Sequence, residues 1–434
     1  MALGIELLSL LMLAALLVQL AIGMPFAFAL LSTASGFALV LFGDRALVLV
    51  ASRMYSFLNE FILLSIPMFI LMASLMEKSN IARDLFNSMR ALAGRLPGGV
   101  AVQTVLVAVV LAATTGIIGG EIMMLGLVAL PQMLRLGYDK KLAIGTICAG
   151  GSLGTMIPPS VVLIFFALTA NAPIGDLFAA SLLPGLMLGA LFALYVVTIC
   201  SLRPDLAPRP PEEDAAAAPG AVRGLVLPLG IIAAVLGSIY AGVASISEAA
   251  TLGVVATLVG TALRGELIWS LVRDSLQRTL VTCGMLIWLT LGATAFMSVY
   301  NLMGGIRFVS DLFVGMDLGP FGALMVMILI WFLLGMIIDW LGILLLTMPV
   351  FVPLAQVFGF DIVWFGVVFC MAMQVSYLTP PFGWAAFYMK TVAPPGIELP
   401  LIYHAMVPFI ALQIVGLALV IAFPAIALWL PGRL

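Results

Sequence analysis

Two Pro-Pro pairs inside long apolar stretches are the feature that most restricts the fold of this chain. Residues 131–173 and 353–395 align without a gap at an offset of 222 positions, and nine of the 43 aligned positions are identical. The identical pairs are Pro131/Pro353, Gly137/Gly359, Asp139/Asp361, Cys148/Cys370, Pro158/Pro380, Pro159/Pro381, Phe165/Phe387, Thr169/Thr391 and Pro173/Pro395. Proline removes a backbone donor and clashes with the preceding turn, so each pair is expected to interrupt a helix. Two related halves with such breaks are typical of secondary transporters whose site lies where the repeats meet.

The composition excludes a soluble globular protein. Hydrophobic residues make up 64% of the chain and charged residues 9%, whereas about a quarter of a soluble domain is charged. A membrane-spanning helix needs about 20 apolar residues. Segments 98–134 and 320–358 are much longer than that, so each is predicted to form a re-entrant hairpin of two half-length helices. Spans or broken helices are predicted near 5–22, 24–42, 54–76, 142–168, 177–200, 225–241, 247–263, 280–300, 362–388 and 401–430, which gives an all-α polytopic membrane protein.

A polar linker divides the chain almost in half. Residues 203–224 contain five prolines and three consecutive acidic residues, which separates a first repeat, 1–202, from a second, 225–434. Basic residues mark the cytoplasmic side and flank the first hairpin, but none occurs between Arg307 and Lys390. The two hairpins are therefore predicted to enter from opposite faces, as in an inverted repeat with both termini outside. The exceptions to the charge rule are Arg45, Arg53, Arg307 and Arg433.

Much of the remaining charge lies in two short amphipathic stretches, 80–95 and 265–278. They are predicted to lie along the membrane interface as arms between moving and fixed parts of the molecule. Ordinary cytoplasmic loops are the alternative.

The interrupted backbone is where ligand chemistry is expected. Non-helical backbone at membrane depth is tolerated only where it lines a cavity or is buried in protein. Freed carbonyls and hydroxyls of serine and threonine are suitable oxygen ligands for a small cation, while free amides at half-helix N-termini favour an anion. The substrate candidates at the tips and breaks are Gly119, Gly120, Glu121, Pro158, Pro159, Ser160 and Pro381. The alternative is that the prolines only kink packed helices and the glycines allow close contact.

Three acidic residues lie far from the predicted loops: Glu121, Asp339 and Glu248. Ionisable groups inside a membrane are functional candidates, although Glu121 could instead cap a half-helix. Glu248 follows Ser245 by three residues and is interpreted first as part of an N-terminal cap. Four isolated cysteines indicate neither disulfides nor a metal site. The sequence has no basic patch of the kind that binds nucleic acid. It also lacks the HExxH, GxSxG and P-loop motifs that would predict an enzyme or an ATP-driven pump.

Several motifs resemble the large membrane subunit of TRAP transporters, the tripartite ATP-independent periplasmic systems. They include Ser65-Ile66-Pro67-Met68-Phe69, Leu130-Pro131-Gln132-Met133, Ile157-Pro158-Pro159-Ser160, Ser247-Glu248-Ala249-Ala250 and Leu378-Thr379-Pro380-Pro381-Phe382-Gly383. The resemblance implies Na⁺-coupled import of an organic acid by an elevator motion in a bacterial inner membrane. It also implies two partners, a small four-helix membrane subunit and a periplasmic substrate-binding protein.

The same resemblance implies two sets of Na⁺ ligands. The first set comprises Thr114, Thr115, Gly116, Gly151, Ser152, Gly154 and Thr155. The second comprises Gly335, Asp339, Thr379, Pro380 and Gly383.

The first hairpin tip departs from many family members. Those for sialic acid and C4-dicarboxylates have a Ser-Gly-Ser type tip, whereas this chain has Thr114-Thr115-Gly116. The tip is more similar to the branch associated with mannitol, chloroaromatic, lactate or α-keto acid uptake, which disfavours sialic acid. Two alternatives stay open at this point: proton coupling, and a stand-alone organic anion permease or channel.

Overall fold

The chain is helical throughout the part that a computed structural model describes, residues 4–93, 96–116, 119–208 and 223–433. No strand occurs among these residues. Most of the predicted linker, 209–222, and the tip residues 117 and 118 lie outside them. The helices of the first half are α1 Ile5–Ala21, α2 Phe26–Phe42, α3 Asp44–Leu58, α4 Ser65–Lys78, α5 Ile81–Ala93, α6 Gly99–Thr115, α7 Gly120–Arg135, α8 Lys140–Ser152, α9 Val161–Ala170 and α10 Ile174–Leu202. Those of the second half are α11 Arg223–Tyr240, α12 Ile246–Leu263, α13 Trp269–Leu302, α14 Gly305–Gly315, α15 Gly319–Gly335, α16 Trp340–Val357, α17 Ile362–Leu378, α18 Trp384–Val392, α19 Leu399–Ala422 and α20 Ala425–Leu428.

The two halves place their helices in the same order. Helices α14 to α19 begin 220 to 225 positions after α5 to α10, close to the offset of 222 found in the sequence. The all-helical fold with two helical hairpins, α6–α7 and α15–α16, is confirmed. So are the two broken helices, α8–α9 and α17–α18. The inversion of the repeats across a membrane stays a prediction.

Within the described ranges, six helical segments are long and apolar enough to cross a membrane, judged by length and composition. The longest are α13, with 34 residues, and α10, with 29. Shorter apolar helices, including α6, α9, α15 and α17, form the hairpins and the broken helices. This pattern of long and short apolar helices is that of a multi-pass membrane protein.

Three predicted segments differ from the structure. The span predicted near 54–76 is divided at Asn59, and the residues before it belong to α3, an amphipathic helix that a search for uniformly apolar runs does not detect. The separate arm predicted at 265–278 is wrong, because α13 begins within that stretch at Trp269 and continues past residue 278 with no Gly or Pro before Gly284. The last predicted span, 401–430, ends at Ala422, before Pro424.

The amphipathic stretch at 80–95 does form a helix, α5. Asp84 on α5 forms an ion pair with Arg264 at the end of α12, and Lys78 lies 3.6 Å from Asp274 on α13. The hydrogen bond to Asp84 raises the pKa of the Arg264 guanidinium. The first contact ties α5 to the end of α12, and the second ties the end of α4 to α13.

Each half completes its packing with helices of the other half. Helix α9 packs on α16, with the Phe165 and Trp340 rings 6.0 Å apart, and α18 packs on α7. Helix α8 lies along α19, where an added Cβ at Gly145 would overlap the Ala405 carbonyl and lie 2.7 Å from the Phe409 ring. The broken helices are therefore held between the two halves.

We expect Gly145→Ala to lower the free energy of unfolding by about 1–3 kcal/mol, because the methyl group overpacks the contact between α8 and α19. The midpoint of thermal unfolding in detergent, followed by size-exclusion chromatography, measures the change. Gly237→Ala is the matched control, since no atom lies within 4 Å of an added Cβ in α11. An equal midpoint for both variants would contradict the close packing at Gly145.

Candidate functional site

The first hairpin tip is bound to the first helix break. Helix α6 ends at Thr115, and the next residue, Gly116, has a left-handed φ of +59°. The Gly116 carbonyl accepts a hydrogen bond from Val161 N at 3.2 Å. A Cβ at Gly116 would overlap the Pro159 carbonyl oxygen. An added Cβ at Gly151 would likewise overlap the Ile122 side chain at the start of α7. Glycine is needed here because hairpin and break touch backbone to backbone.

Hydroxyl groups line this break, and every one of them is buried. Ser152 Oγ donates to the Ala149 carbonyl at 2.7 Å, Thr155 Oγ1 to Ser152 O at 3.2 Å, and Ser160 Oγ to Thr155 O at 2.6 Å. On the hairpin, Thr114 Oγ1 donates to the Leu111 carbonyl at 2.7 Å. Each of these hydroxyl groups donates its proton to a backbone carbonyl, so at least one of its lone pairs stays available to bind a cation.

Glu121 places a carboxylate between the tip and the break. Its side chain has no exposed surface, Oε1 accepts a hydrogen bond from the Thr115 hydroxyl, and Oε2 has no hydrogen-bond partner among the described residues. An added Cβ at Gly154 would overlap this carboxylate. Burying an unpaired carboxylate oxygen costs free energy, so this oxygen indicates a binding function.

The second tip and break are less enclosed than the first. Asp339 caps α16 and accepts from Leu341 N at 3.3 Å, and an added Cβ at Gly335 would overlap the Ser376 side chain. Thr379 Oγ1 donates to Val375 O at 2.6 Å. Pro380 is exposed, as is Pro381. This break is therefore exposed at the surface of the chain, whereas the first one is buried.

One further residue, Tyr403, binds the backbone of the second break. The hydroxyl of Tyr403 donates to the carbonyls of Pro381 and Phe382, at 2.6 and 2.8 Å. Gly383 follows with a left-handed φ of +47°, and an added Cβ there would lie 3.2 Å from the Tyr403 ring. Part of the backbone freed by the prolines is thus already paired within the chain.

The structure also places a buried side-chain amide in this region. Gln374 is fully buried in the last turns of α17, and neither its amide nitrogen nor its oxygen has a partner among the described residues. It occupies the repeat position of Ser152, whose hydroxyl accepts from Gln413 Nε2 at 3.0 Å. Sequence reasoning missed both glutamines, although a glutamine in an apolar span is itself a signal.

The tip glycines of the first hairpin meet residues that sequence reasoning did not select. An added Cβ at Gly119 would lie 2.7 Å from the Tyr388 ring on α18. An added Cβ at Gly120 would overlap Glu77, which forms an ion pair with Arg278. Tyr388 is close enough to Asp339 and Arg278 for their charges to act on its hydroxyl. The two tips therefore face one region that also contains α4, α13 and α18.

The structure also places Glu248, the single histidine and the four cysteines. Glu248 and Ser245 form a reciprocal capping box at the start of α12, which confirms the interpretation of Glu248 as a cap. His404 is exposed, with Nδ1 2.7 Å from the Pro400 carbonyl. All four cysteines are free and buried.

Comparison with known proteins decides the family. Residues 13–426 match the family described as "Tripartite ATP-independent periplasmic transporter, DctM component". The chain belongs to this DctM family. Its resemblance to the large subunit of TRAP transporters is thereby confirmed across nearly its whole length.

The DctM-family chain is similar to permeases named for different substrates. It is 28% identical to the C4-dicarboxylate TRAP transporter large permease protein DctM of Pseudomonas aeruginosa over 411 residues, 93% of this chain and 94% of the relative. It is also 28% identical to the sialic acid TRAP transporter large permease protein SiaM of Vibrio cholerae over 412 residues, 94% and 95% of the two chains. Equal identity to both does not select a substrate.

A solved structure shares the fold of the DctM-family chain. The Alcanivorax borkumensis YdaH transporter superposes with a TM-score of 0.59 and covers 94% of this chain and 97% of its own, at 15% sequence identity. At this identity the likeness concerns the fold alone. The two proteins therefore share a fold although few of their aligned residues are identical.

Proposed function

We propose that this chain is the permease subunit of a Na⁺-coupled importer of an organic acid. The observation that carries the proposal is the first tip–break contact, where hydroxyl groups and the Glu121 carboxylate are buried around backbone joined from Gly116 to Val161. Oxygen ligands of this kind suit Na⁺. Glu121 adds the negative charge that compensates for a buried cation.

The first set of residues fits a Na⁺ ion. Thr115, Ser152 and Thr155 would supply hydroxyl oxygens, and Glu121 Oε2, which lacks a partner, would supply a carboxylate oxygen. A bound Na⁺ would join the hairpin to the break and neutralise the buried charge. The chain's own contribution is to hold these oxygens in place through Gly116, Gly151 and Gly154, where no side chain fits.

The second set fits in part. Asp339 supplies charge and Gln374 supplies an unpaired buried oxygen, while Gly335 allows α15 to approach Ser376. Pro380 is exposed, so its carbonyl would complete a site only in a more closed state. Between the two sets, the α7 N-terminus at Gly119 and Gly120 offers free amides to an anion such as a carboxylate.

The partners follow from the family. A tripartite periplasmic transporter comprises three components, and this chain is similar to the large permease proteins over more than nine-tenths of their length. A small four-helix membrane subunit and a periplasmic substrate-binding protein would supply the other two. Delivery by that protein, an elevator motion and a bacterial inner membrane complete the proposal.

The test is uptake of radiolabelled lactate, pyruvate and succinate into proteoliposomes that contain this chain, its small subunit and its binding protein. We expect uptake to require both an inward Na⁺ gradient and the binding protein. Uptake without the binding protein would favour a stand-alone permease. Uptake driven by a pH gradient alone would favour proton coupling, which the buried, half-paired Glu121 carboxylate also permits.

Asp339→Asn tests the second set of ligands in the same assay. Asparagine keeps an oxygen that can accept from Leu341 N but removes the charge, so we expect Na⁺-driven uptake to fall by about tenfold, the usual effect of losing one charged contact. Asp361→Asn is the matched control, because Asp361 caps α17 in the same way, at 2.9 Å from Trp364 N, and is exposed. Equal losses in the two variants would show that only the cap matters.

A further inference from the structure

A cavity with several polar lining residues lies apart from the tips and breaks. It has a volume of about 360 Å³ and is bounded by α3, α9, α13, α14 and α16. We call it the Arg53 cavity, after the one charged side chain in its lining. Thr169 of α9 contributes a hydroxyl, and none of its lining residues belongs to the predicted ligand sets.

The lining combines one cation with a row of neutral hydrogen-bonding groups. Thr294, Ser298 and Asn301 of α13 line the cavity. They are spaced four and three residues apart, so they lie on one face of the helix. Arg53 makes no ion pair within 4.0 Å with any described residue, whereas Arg278 is held by Glu77. A guanidinium without a counterion, beside hydroxyl and amide groups, is suited to bind a carboxylate through paired hydrogen bonds.

The size and the apolar part of the lining fit a small organic acid. Ligand pockets commonly measure about 300–1,000 Å³ and are mostly apolar with a few polar groups that fix orientation. Leu49 and Phe57 stand one turn before and after Arg53 on α3, and Met297 faces them from α13. These side chains would contact the carbon skeleton while Arg53 holds the carboxylate.

The equivalent positions in the other half are buried. The repeat offset of 222 places Ser275 at the position of Arg53 and Met76 at the position of Ser298. Ser275 has no exposed surface and Met76 has 1%, whereas Arg53 is exposed. The hydroxyl of Ser275 has no partner among the described residues. The position of Arg53 is therefore exposed, while its equivalent in the other half is buried.

Each half carries an arginine in this stretch of its helix. Arg278 lies three residues, about one turn, beyond the equivalent of Arg53, and its guanidinium forms an ion pair with Glu77, which lies beside Gly120. Among the described residues, the Arg53 guanidinium thus has no ion-pair partner, whereas the Arg278 guanidinium is paired with Glu77. Arg53 is also one of the exceptions to the charge rule, which a binding function explains.

We infer that Arg53 binds the carboxylate group of the incoming organic acid in this access cavity, before the acid reaches the hairpin tips. The inference rests on the proposed function, since it needs an organic acid as cargo. It makes Arg53 a specificity-determining residue for anionic substrates.

The test measures uptake in the reconstituted system with Arg53→Gln, Arg53→Lys and a matched control, Arg45→Gln, on the same helix but outside the cavity lining. We expect Arg53→Gln to raise the half-saturating concentration of the acid-loaded binding protein by about tenfold or more, the usual effect of losing one charged hydrogen bond. Arg53→Lys should recover part of this loss, and Arg45→Gln should match the wild type.

Accessibility gives a second measurement that needs no transport by the variant. We expect a membrane-impermeant maleimide to label Arg53→Cys, because the position is exposed and the four native cysteines are buried. The transported acid, added with its binding protein, should slow this labelling. Size-exclusion chromatography shows whether each variant is folded.

The outcomes separate the two proposals. If the wild type takes up none of the acids under any gradient, the proposed function fails. If the wild type is active but Arg53→Gln keeps the wild-type half-saturating concentration, or if the transported acid leaves Arg53→Cys labelling unchanged, the role of Arg53 is overturned while Na⁺-coupled import stands.

Discussion

Gly116→Ala is expected to lower Na⁺-driven uptake by at least about a hundredfold, which corresponds to roughly 2.7 kcal/mol. Two costs combine at this residue. The left-handed φ of +59° at Gly116 raises the conformational free energy of any residue with a Cβ by about 1–2 kcal/mol. The new methyl group would also overlap the Pro159 carbonyl, so the hairpin would have to withdraw from the break and the Val161 hydrogen bond would be lost.

Gly359→Ala is the matched control, because it carries only the first of these costs. Gly359 also has a left-handed φ, +77°, but no atom lies within 4 Å of an added Cβ. It should therefore lose some stability and keep nearly all uptake per folded molecule. If Gly116→Ala transported as well as Gly359→Ala, the tip–break contact would have no role in coupling.

Glu121→Gln is expected to abolish Na⁺-dependent uptake, with a loss of about a hundredfold or more at a Na⁺ concentration near half-saturation for the wild type. The substitution keeps the shape of the side chain and an oxygen that can accept from Thr115. It removes the charge and turns one end into an NH₂ group, which repels a cation instead of binding it. Uptake measured across a range of Na⁺ concentrations, together with ²²Na⁺ binding to the purified complex, would show the change.

Glu248→Gln is the control for this prediction. Its carboxylate belongs to the capping box of α12 and accepts from Ser245 N at 2.7 Å, so the variant should lose no more than about 1 kcal/mol of stability and keep its Na⁺ dependence. A Glu121→Gln protein with wild-type Na⁺ dependence would remove Glu121 from the cation site. If that protein instead lost only its response to pH, Glu121 would be a proton carrier.

The helical hairpins and the broken helices could be predicted because their signals are local. A run of apolar residues too long for one span and a Pro-Pro pair within another each demand an interruption, whatever the rest of the chain does. Helix α3 could not be found in this way, because Asp44, Arg45 and Arg53 give it the composition of a loop. The continuity of α13 was missed for a related reason, since its first three turns are charged and its remainder is apolar.

The candidate site could be predicted only within each half. The sequence places Thr115, Gly116 and Glu121 on one tip and Ser152, Gly154 and Thr155 on one break, and the structure brings Thr115, Glu121 and Gly154 together. Contacts between segments that are far apart in the sequence leave no local pattern from which they could be predicted. Gln413 reaches Ser152 across 261 positions, and Arg278 reaches Glu77 across 201.

The exchange of packing partners between the halves has a consequence for biosynthesis. When the ribosome has released only the first half, α9 has no α16 to cover it and α7 has no α18, so their faces must be shielded by lipid or by the insertion machinery. Final burial of the first break thus waits for the C-terminal half of the chain. The halves expressed as separate fragments should each be degraded alone and accumulate together, as a complemented pair.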